Sequence, residues 1–112
     1  MHIKIHSKDF SITPAINEFI NDKIKFALSR YGTRIRVIEI SLKDINGPRG
    51  GVDKQCVIKM KVNQFKTLVV DDVSADAYEA ITACTQRAKR RIERHFNRSR
   101  AQQRKPTAVV LQ

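Results

Sequence analysis

Hydrophobic and polar positions follow two different periods along this chain. Alternation of apolar and polar residues predicts half-buried strands over residues 2–7, 37–45 and 54–63, with Val57 as an exception. A fourth strand is predicted over residues 67–73, where the apolar run 68–70 leaves the inward face ambiguous. Apolar residues three to four positions apart predict two helices, over about 14–30 and 75–96. The predicted order of elements is therefore β-α-β-β-β-α.

Capping residues mark the ends of both predicted helices. Thr13 can cap the first helix, and Pro14 suits its first position, where a backbone N–H is not needed. We expect Gly32 to end that helix in a left-handed conformation, and Ser74 to cap the second helix. The apolar pattern then fades, and Pro106 follows, so the last residues are expected to fray into a tail.

These elements predict an α+β fold. An antiparallel sheet of alternating strands has one packed face, and two helices with one apolar stripe each can cover it. We therefore expect a two-layer sandwich, with a four-stranded sheet and both helices packed on one face. The expected division is a domain over residues 1–98 and a basic C-terminal tail over 99–112. The outer sheet face should carry lysines, namely Lys4, Lys43, Lys59 and Lys61.

Composition, the N-terminus and the two cysteines together predict a cytoplasmic protein. Hydrophobic residues make up 41% and charged residues 29%, which is typical of a soluble globular protein. No apolar run approaches the roughly 20 residues that a membrane span needs, so we expect no membrane partner. The alternating N-terminus does not look like an export signal. Cys56 and Cys84 both fall on predicted core faces and are expected to be buried, reduced thiols.

Positive charge is concentrated near the end of the chain. Of 22 Lys and Arg residues, nine lie between 87 and 105, opposed only by Glu93, in a chain of net charge +11. Helical geometry places five arginines within an arc of about 100°, beside the apolar stripe of the second helix. We expect this row to line a ridge or a groove beside the first helix, where Lys23, on the flank of that helix, could face the same groove. The candidate RNA-binding residues are Lys23, Arg87, Arg90, Arg91, Arg94 and Arg98.

A one-sided row of arginines is typical of a protein that binds a polyanion. A merely solvated helix usually mixes charges of both signs, and a membrane-surface helix needs a large exposed apolar face. Charge alone does not distinguish DNA from RNA as the partner. No zinc-finger, zipper or helix-turn-helix pattern is present, which favours contacts to the backbone of a folded RNA. Phe65, in the predicted hairpin, either stacks on a base or packs at the sheet edge.

Candidate catalytic and metal sites are weak in this sequence. His2 and His6 share a strand, and His95 lies on the second helix, so three ligands do not converge. A nuclease would pair a histidine with a carboxylate or a lysine, and no residue pattern places His95 near Asp71 or Asp72. The glycines of residues 46–51 lack a phosphate-loop ending. We therefore expect no enzyme activity, no cofactor and no small-molecule substrate.

Two short stretches carry a family resemblance. Residues 12–16 (ITPAI) and 76–81 (DAYEAI), with the element order and the basic second helix, resemble the ribosome hibernation-promoting factors. This family is also known as ribosome-associated inhibitors or sigma-54 modulation proteins. The resemblance covers residues 1 to about 98. The chain ends at Gln112 with a basic tail, which is similar to the short, hibernation-promoting type.

The resemblance implies a bacterial stress- and stationary-phase factor that works without chemistry. Such factors bind the small ribosomal subunit and its ribosomal RNA at the decoding region, and they inhibit translation by filling the messenger and transfer RNA sites. Family basic positions match here at Lys23, Arg87, Arg90, Arg94 and Arg98, and Arg91 lies on the same arc. Arg49, in the glycine-rich loop, is a further candidate phosphate contact.

Two other functions remain open from the sequence. One is a general double-stranded-RNA or nucleic-acid binding domain that is not tied to the ribosome. The other, more distant, is a cytosolic enzyme with an acidic substrate. We expect the protein to be a monomer when it is free.

Overall fold

The structure is a computed structural model that describes residues 1–8, 11–45 and 54–110, with side chains as far as Arg98. Its elements are β1 (His2–Lys8), α1 (Pro14–Leu28), a short 3-10 helix (Ser29–Tyr31), β2 (Val37–Asp44), β3 (Lys54–Lys61), β4 (Thr67–Ser74) and α2 (Ala77–Val110). The predicted α+β class and β-α-β-β-β-α order are confirmed. The loop over residues 46–51, with Arg49, lies outside the described residues, as do the side chains of the basic tail.

The four strands form one mixed sheet in the order β1-β2-β3-β4. β2, β3 and β4 pair antiparallel, but β1 pairs with β2 in parallel, so the all-antiparallel sheet expected from the sequence is wrong. The reason is the crossover through α1, which returns the chain to the same end of the sheet before β2 begins. The register aligns Ile5, Ile40, Ile58 and Val70 across one face.

Both helices pack against that face, as predicted. From α1, Ile20, Ile24 and Leu28 are buried, each at a spacing of four residues. The buried apolar residues of α2 and its facing strands include Ile81, Cys84, Ala88, Ile92, Ile38, Cys56 and Met60. Each fully buried aliphatic side chain of this kind contributes about 1.5–3 kcal/mol relative to exposure. The opposite sheet face stays open to solvent.

The start of α1 follows the sequence expectation, but its end does not. The Thr13 Oγ1 accepts a hydrogen bond from the Ile16 N–H at 3.1 Å, which satisfies one of the free N–H groups of the first turn. At the other end, Gly32 has φ −56° and ψ −36°, so the expected left-handed stop is wrong. The chain instead leaves α1 through the 3-10 helix. A Cβ at Gly32 would lie 3.2 Å from the Ser29 carbonyl oxygen, so this close approach favours glycine.

The boundaries of α2 also differ from those expected. The capping side chain is Asp76, whose Oδ1 accepts from the Tyr78 N–H at 3.2 Å, whereas the Ser74 hydroxyl donates to Glu79 at 2.9 Å. The helix continues to Val110 rather than fraying near residue 96. Alanine, glutamine, arginine and lysine dominate residues 100–105, and these are strong helix formers. Of the helices described, not one is long and apolar enough to cross a lipid bilayer.

Candidate nucleic-acid interface

Contacts on three sides define how α2 is oriented. Its apolar side packs on β3 and β4. On a second side, Tyr78 meets Phe19 of α1 edge-on, with ring centroids 4.9 Å apart, and Phe96 stacks on Tyr31 at 5.4 Å. On a third side, Arg87 reaches Asp72 of β4. The helix therefore has an α1 flank and a β4 flank, which lie on either side of its buried side and adjoin across its exposed side.

The arginines of α2 lie on the β4 flank. Arg87 is held there by its contact with Asp72, and the helical period places the other four on the same arc. We call this row the arginine stripe; its members are Arg87, Arg90, Arg91, Arg94 and Arg98. The stripe is about 17 Å long at 1.5 Å per residue. All its members are exposed except Arg91, which is half-buried.

The expectation that the stripe lines a groove beside the first helix is therefore wrong. The reason is topological. As the crossover between β1 and β2, α1 packs on one side of α2, and α2 itself covers β3 and the edge strand β4. The arginine arc is therefore directed past the edge strand β4 and away from α1. Helical periodicity gave the spacing of the arginines correctly, but it contains no information about which neighbour each flank of the helix meets.

One member of the stripe is paired within the chain. The Arg87 Nε donates to the Asp72 Oδ2 at 2.9 Å, and the two side chains are 58% and 24% exposed. A partly exposed ion pair of this kind contributes at most about 1 kcal/mol to stability. Asp72 also accepts from the Val73 N–H at 2.8 Å, which fixes the carboxylate.

The remaining four arginines carry free positive charge. Arg90, Arg91, Arg94 and Arg98 make no ion pair with any residue that the structure describes. Arginine binds phosphate in a planar, bidentate geometry and stays charged at every physiological pH. A row of such groups, spaced by one helical turn or less, can bind several phosphates of one backbone.

Lys23 does not join the stripe. Its Nζ lies 5.4 Å from the centre of the Phe19 ring. It also lines a groove of about 200 Å³ between α1 and α2, together with Lys89 and Gln86. That groove is on the α1 flank, and no arginine of the stripe lines it, although Gln86 is one helical turn from Arg90 across the exposed side of α2. The expected shared groove is wrong in this respect as well.

His95 lies among cations about halfway along α2. Burial, followed by the positive charges of Lys66 and Arg91, lowers the pKa of His95 below its usual 6.5. Its ring also meets Phe96 edge-on at 5.1 Å. The imidazole is therefore mainly neutral at pH 7, and the charged groups that act on it are the cations Lys66 and Arg91.

A second group of arginines makes cation–π contacts with aromatic rings at the 3-10 helix. The Arg34 guanidinium lies 4.9 Å from the centre of the Phe96 ring, and that of Arg30 lies 5.8 Å from the Tyr31 ring. Sequence reasoning missed this cluster. Three arginines and a tyrosine between residues 30 and 36 were the available signal, although their contact with Phe96 comes from tertiary packing.

The open sheet face is basic, as expected. Lys4, Lys43, Lys59 and Lys61 all project from it, and Lys61 lies 3.5 Å from Glu39. Along the same face, the Gln55 amide donates to Asp71 at 3.3 Å. The lysines thus form a second cationic surface, on the other side of the sheet from the helices.

Within the described ranges, no three His, Cys, Asp or Glu side chains come close enough to hold a metal ion. Cys56 and Cys84 are buried free thiols, as predicted. The Cys84 Sγ donates to the Cys56 carbonyl oxygen at 3.3 Å. A side-chain hydrogen bond with Cys56 and burial raise the pKa of Cys84, so its thiol stays protonated and is a poor nucleophile.

Comparisons with known proteins agree with this fold. A ribosomal subunit interface protein from Coxiella burnetii is 20% identical, with a TM-score of 0.72, over 87% of this chain and 99% of that one. The N-terminal domain of Protein Y from Thermus thermophilus is 22% identical, with a TM-score of 0.70, over 85% of this chain and 99% of that one. A sequence comparison with curated proteins finds no match.

A family model matches most of the chain. It is described as sigma 54 modulation protein / S30EA ribosomal protein, and the match covers residues 3–100. The resemblance noted from two short motifs is thereby confirmed. The matched range includes all of the sheet except His2, together with α1 and the arginine stripe, so the chain belongs to the sigma 54 modulation protein / S30EA ribosomal protein family.

Proposed function

We propose that this protein binds the small ribosomal subunit at the decoding region and inhibits translation, which promotes ribosome hibernation under stress. The observation that carries the proposal is the arginine stripe, with four guanidiniums that no described carboxylate neutralises. Their like charges repel one another along the helix, and a row of phosphates would relieve that repulsion.

The family supports the ribosome as the partner. Its description includes a ribosomal protein, and one structural neighbour is named a ribosomal subunit interface protein. Ribosomal RNA presents a dense, folded phosphate surface, and the stripe matches such a surface better than it matches base edges. Contacts to phosphates position a protein on RNA without reading its sequence.

Binding alone would inhibit translation in this mechanism. Messenger RNA and transfer RNAs occupy the decoding region, so a folded domain bound there excludes them sterically. The protein makes and breaks no covalent bond, and it needs neither a cofactor nor a small-molecule substrate. We propose that it acts in the cytoplasm, and that it is a monomer when free.

The candidate residues then have different roles. Arg90, Arg91, Arg94 and Arg98 would bind phosphates directly. Arg87 would do so only by sharing its guanidinium with Asp72. Lys23, on the α1 flank, would contact a different RNA segment. A domain that binds between two parts of the subunit meets RNA on more than one of its sides. We propose residues 1–98 as the binding domain and 99–112 as a basic extension of it.

Sedimentation with purified ribosomal subunits tests the proposal. The wild-type protein is expected to co-sediment with small subunits, to be displaced by messenger RNA with transfer RNA, and to inhibit translation in a reconstituted system. Arg90→Glu with Arg94→Glu should abolish all three effects while the circular dichroism spectrum stays unchanged. Equal binding to small subunits and to an unrelated RNA duplex would instead favour a general double-stranded-RNA binder.

A further inference from the structure

The hairpin between β3 and β4 holds an aromatic ring in solvent. Phe65, at its tip, is 88% exposed. The turn beneath it is well defined, because the Asn63 side-chain oxygen accepts from both the Phe65 and the Lys66 N–H groups at 2.8 Å. The Val62 N–H also donates to the Lys66 carbonyl oxygen at 3.1 Å. The ring is thus presented on a closed turn, in a position that adds nothing to the core.

The surroundings of this ring are cationic and polar. α2 runs antiparallel to β4, so that Arg87 lies opposite Asp72 and His95 lies near the hairpin, where Lys66 acts on it. Below the tip, Arg36, Lys61, Asn63, Gln64 and Thr67 line a cleft of about 410 Å³ at the end of the open sheet face. The hairpin therefore lies between the arginine stripe and a second basic surface.

We propose that Phe65 stacks on an unpaired base of the RNA whose backbone lies along the arginine stripe. The inference rests on the proposed RNA-binding function and adds a base contact to it. The cleft beside the hairpin offers Arg36 to the sugar-phosphate of the same or the next nucleotide. Because every base has a flat π face, such a contact tolerates any sequence.

A base fits this position better than a protein pocket does. Aromatic anchors of protein interfaces sit at the centre of desolvated, apolar surroundings. Phe65 instead has Gln64 and Lys66 as its neighbours in the chain, and cations border both sides of the hairpin. Stacking beside a phosphate-binding surface needs this combination of a bare ring and positive charge. The closed turn also lowers the ordering entropy that binding must overcome.

Substitution of Phe65 gives the first test, with purified small ribosomal subunits as the probe. Phe65→Ala is expected to weaken binding about tenfold at constant salt, as loss of one stacked base does. Phe65→Tyr should bind within about twofold of wild type, because it keeps the ring. Phe65→Leu should lose as much affinity as alanine, since a stacked base needs a flat partner. A leucine that restores affinity would indicate an apolar pocket and overturn the proposal.

Phe26 supplies a matched control. It is 91% exposed on α1, on the other flank of α2 from the hairpin. Phe26→Ala removes the same ring from the groove that holds Lys23, away from the hairpin, and is expected to lose less affinity than Phe65→Ala. Equal losses for the two alanine variants would refute a specific contact at Phe65. Both positions are exposed, so neither variant should change the thermal midpoint by more than a few degrees.

Fluorescence identifies the occupant directly when the introduced tryptophan is labelled as 5-hydroxytryptophan. The chain contains no other tryptophan, and this analogue is excited at wavelengths where the tryptophans of ribosomal proteins are not. Phe65→Trp places a single indole at the tip, and a stacked base is expected to quench its emission when small subunits are added. Phe26→Trp should show no such quenching. A blue shift without quenching at position 65 would mean burial against a ribosomal protein, and it would overturn the proposal.

Salt dependence separates failure of this inference from failure of the proposed function. Phe65→Ala should leave the slope of log K against log salt unchanged, because stacking releases no counterions. If wild type binds with a steep slope and Phe65→Ala binds equally well, only the stacking contact is refuted. If the Arg90→Glu, Arg94→Glu variant also binds like wild type, the proposed function itself fails.

Discussion

Removal of two free arginines should change both the affinity for the small subunit and its salt dependence. Arg90→Gln with Arg94→Gln is the informative double variant. Both side chains are exposed on the β4 flank of α2, and neither pairs with a carboxylate among the described residues. Glutamine keeps helix propensity close to that of arginine, so the fold should not respond. The variant thus removes two phosphate contacts and little else.

The expected magnitude follows from counterion release. Each neutralised phosphate contributes about 0.7 to 0.9 to the slope of log K against log salt, so two contacts lower the slope by about 1.4 to 1.8. At 0.15 M salt this corresponds to about 1.8 kcal/mol, or about twentyfold in Kd. At 0.5 M salt the same two contacts are worth only about threefold. The difference between wild type and variant should therefore shrink as salt rises.

The assay is equilibrium binding of labelled protein to small subunits over a series of salt concentrations. Lys25→Gln is the matched control, because it removes one exposed positive charge from α1, away from the stripe and from the hairpin. Its slope should stay near that of wild type. Two results would refute the reasoning: a control with the same loss per charge, or a variant whose loss does not depend on salt. Either would mean that net charge, rather than the arginine stripe, governs binding.

Three further predictions concern single groups. Asp72→Asn should release Arg87 from its ion pair and tighten binding to the small subunit by up to about fivefold at 0.15 M salt. The slope of log K against log salt should become steeper, and an unchanged affinity would show that Arg87 faces no phosphate. Burial, Lys66 and Arg91 lower the pKa of His95, so the unfolded chain takes up a proton at higher pH than the folded one. The free energy of unfolding should therefore fall as pH drops through 6.5 towards the folded pKa. In urea titrations at pH 7.5 and 5.5, His95→Gln should show a smaller fall than wild type, and an equal fall would contradict this origin. Thr13→Ala should cost about 1 kcal/mol because the Ile16 N–H loses its acceptor, whereas Thr13→Ser should cost little; equal thermal midpoints for the two variants would argue against the cap.

Much of the fold follows from local patterns. Alternation in β2 and β3 identified their buried faces correctly, because side chains of a strand point alternately to the two sides of a sheet. The cap at Thr13 was also predictable, since it needs only residues within one helical turn. Gly32 and Ser74 were misassigned for a different reason. Each sits near a helix end where several local geometries compete, and packing decides among them.

The candidate site likewise has features that follow from local sequence patterns and features that depend on tertiary packing. That five arginines share one arc of α2 is a consequence of helical geometry, and the structure bears it out. The ion pair between Arg87 and Asp72 joins residues of different elements, and so does the contact between Arg34 and Phe96. No periodicity in the sequence encodes such contacts.

The sequence by itself determined which segments form helices and strands, where the positive charge concentrates and that the arginines lie on one side of their helix. These properties depend on neighbours within a few positions along the chain. Only the tertiary structure decided that β1 pairs in parallel, that the arginine stripe lies beyond β4 rather than beside α1, and that Lys23 lies on the opposite flank. It also decided that Phe65 stays in solvent. Each of these depends on how α1 and α2 share one face of the sheet, which is set by packing between residues far apart in the chain.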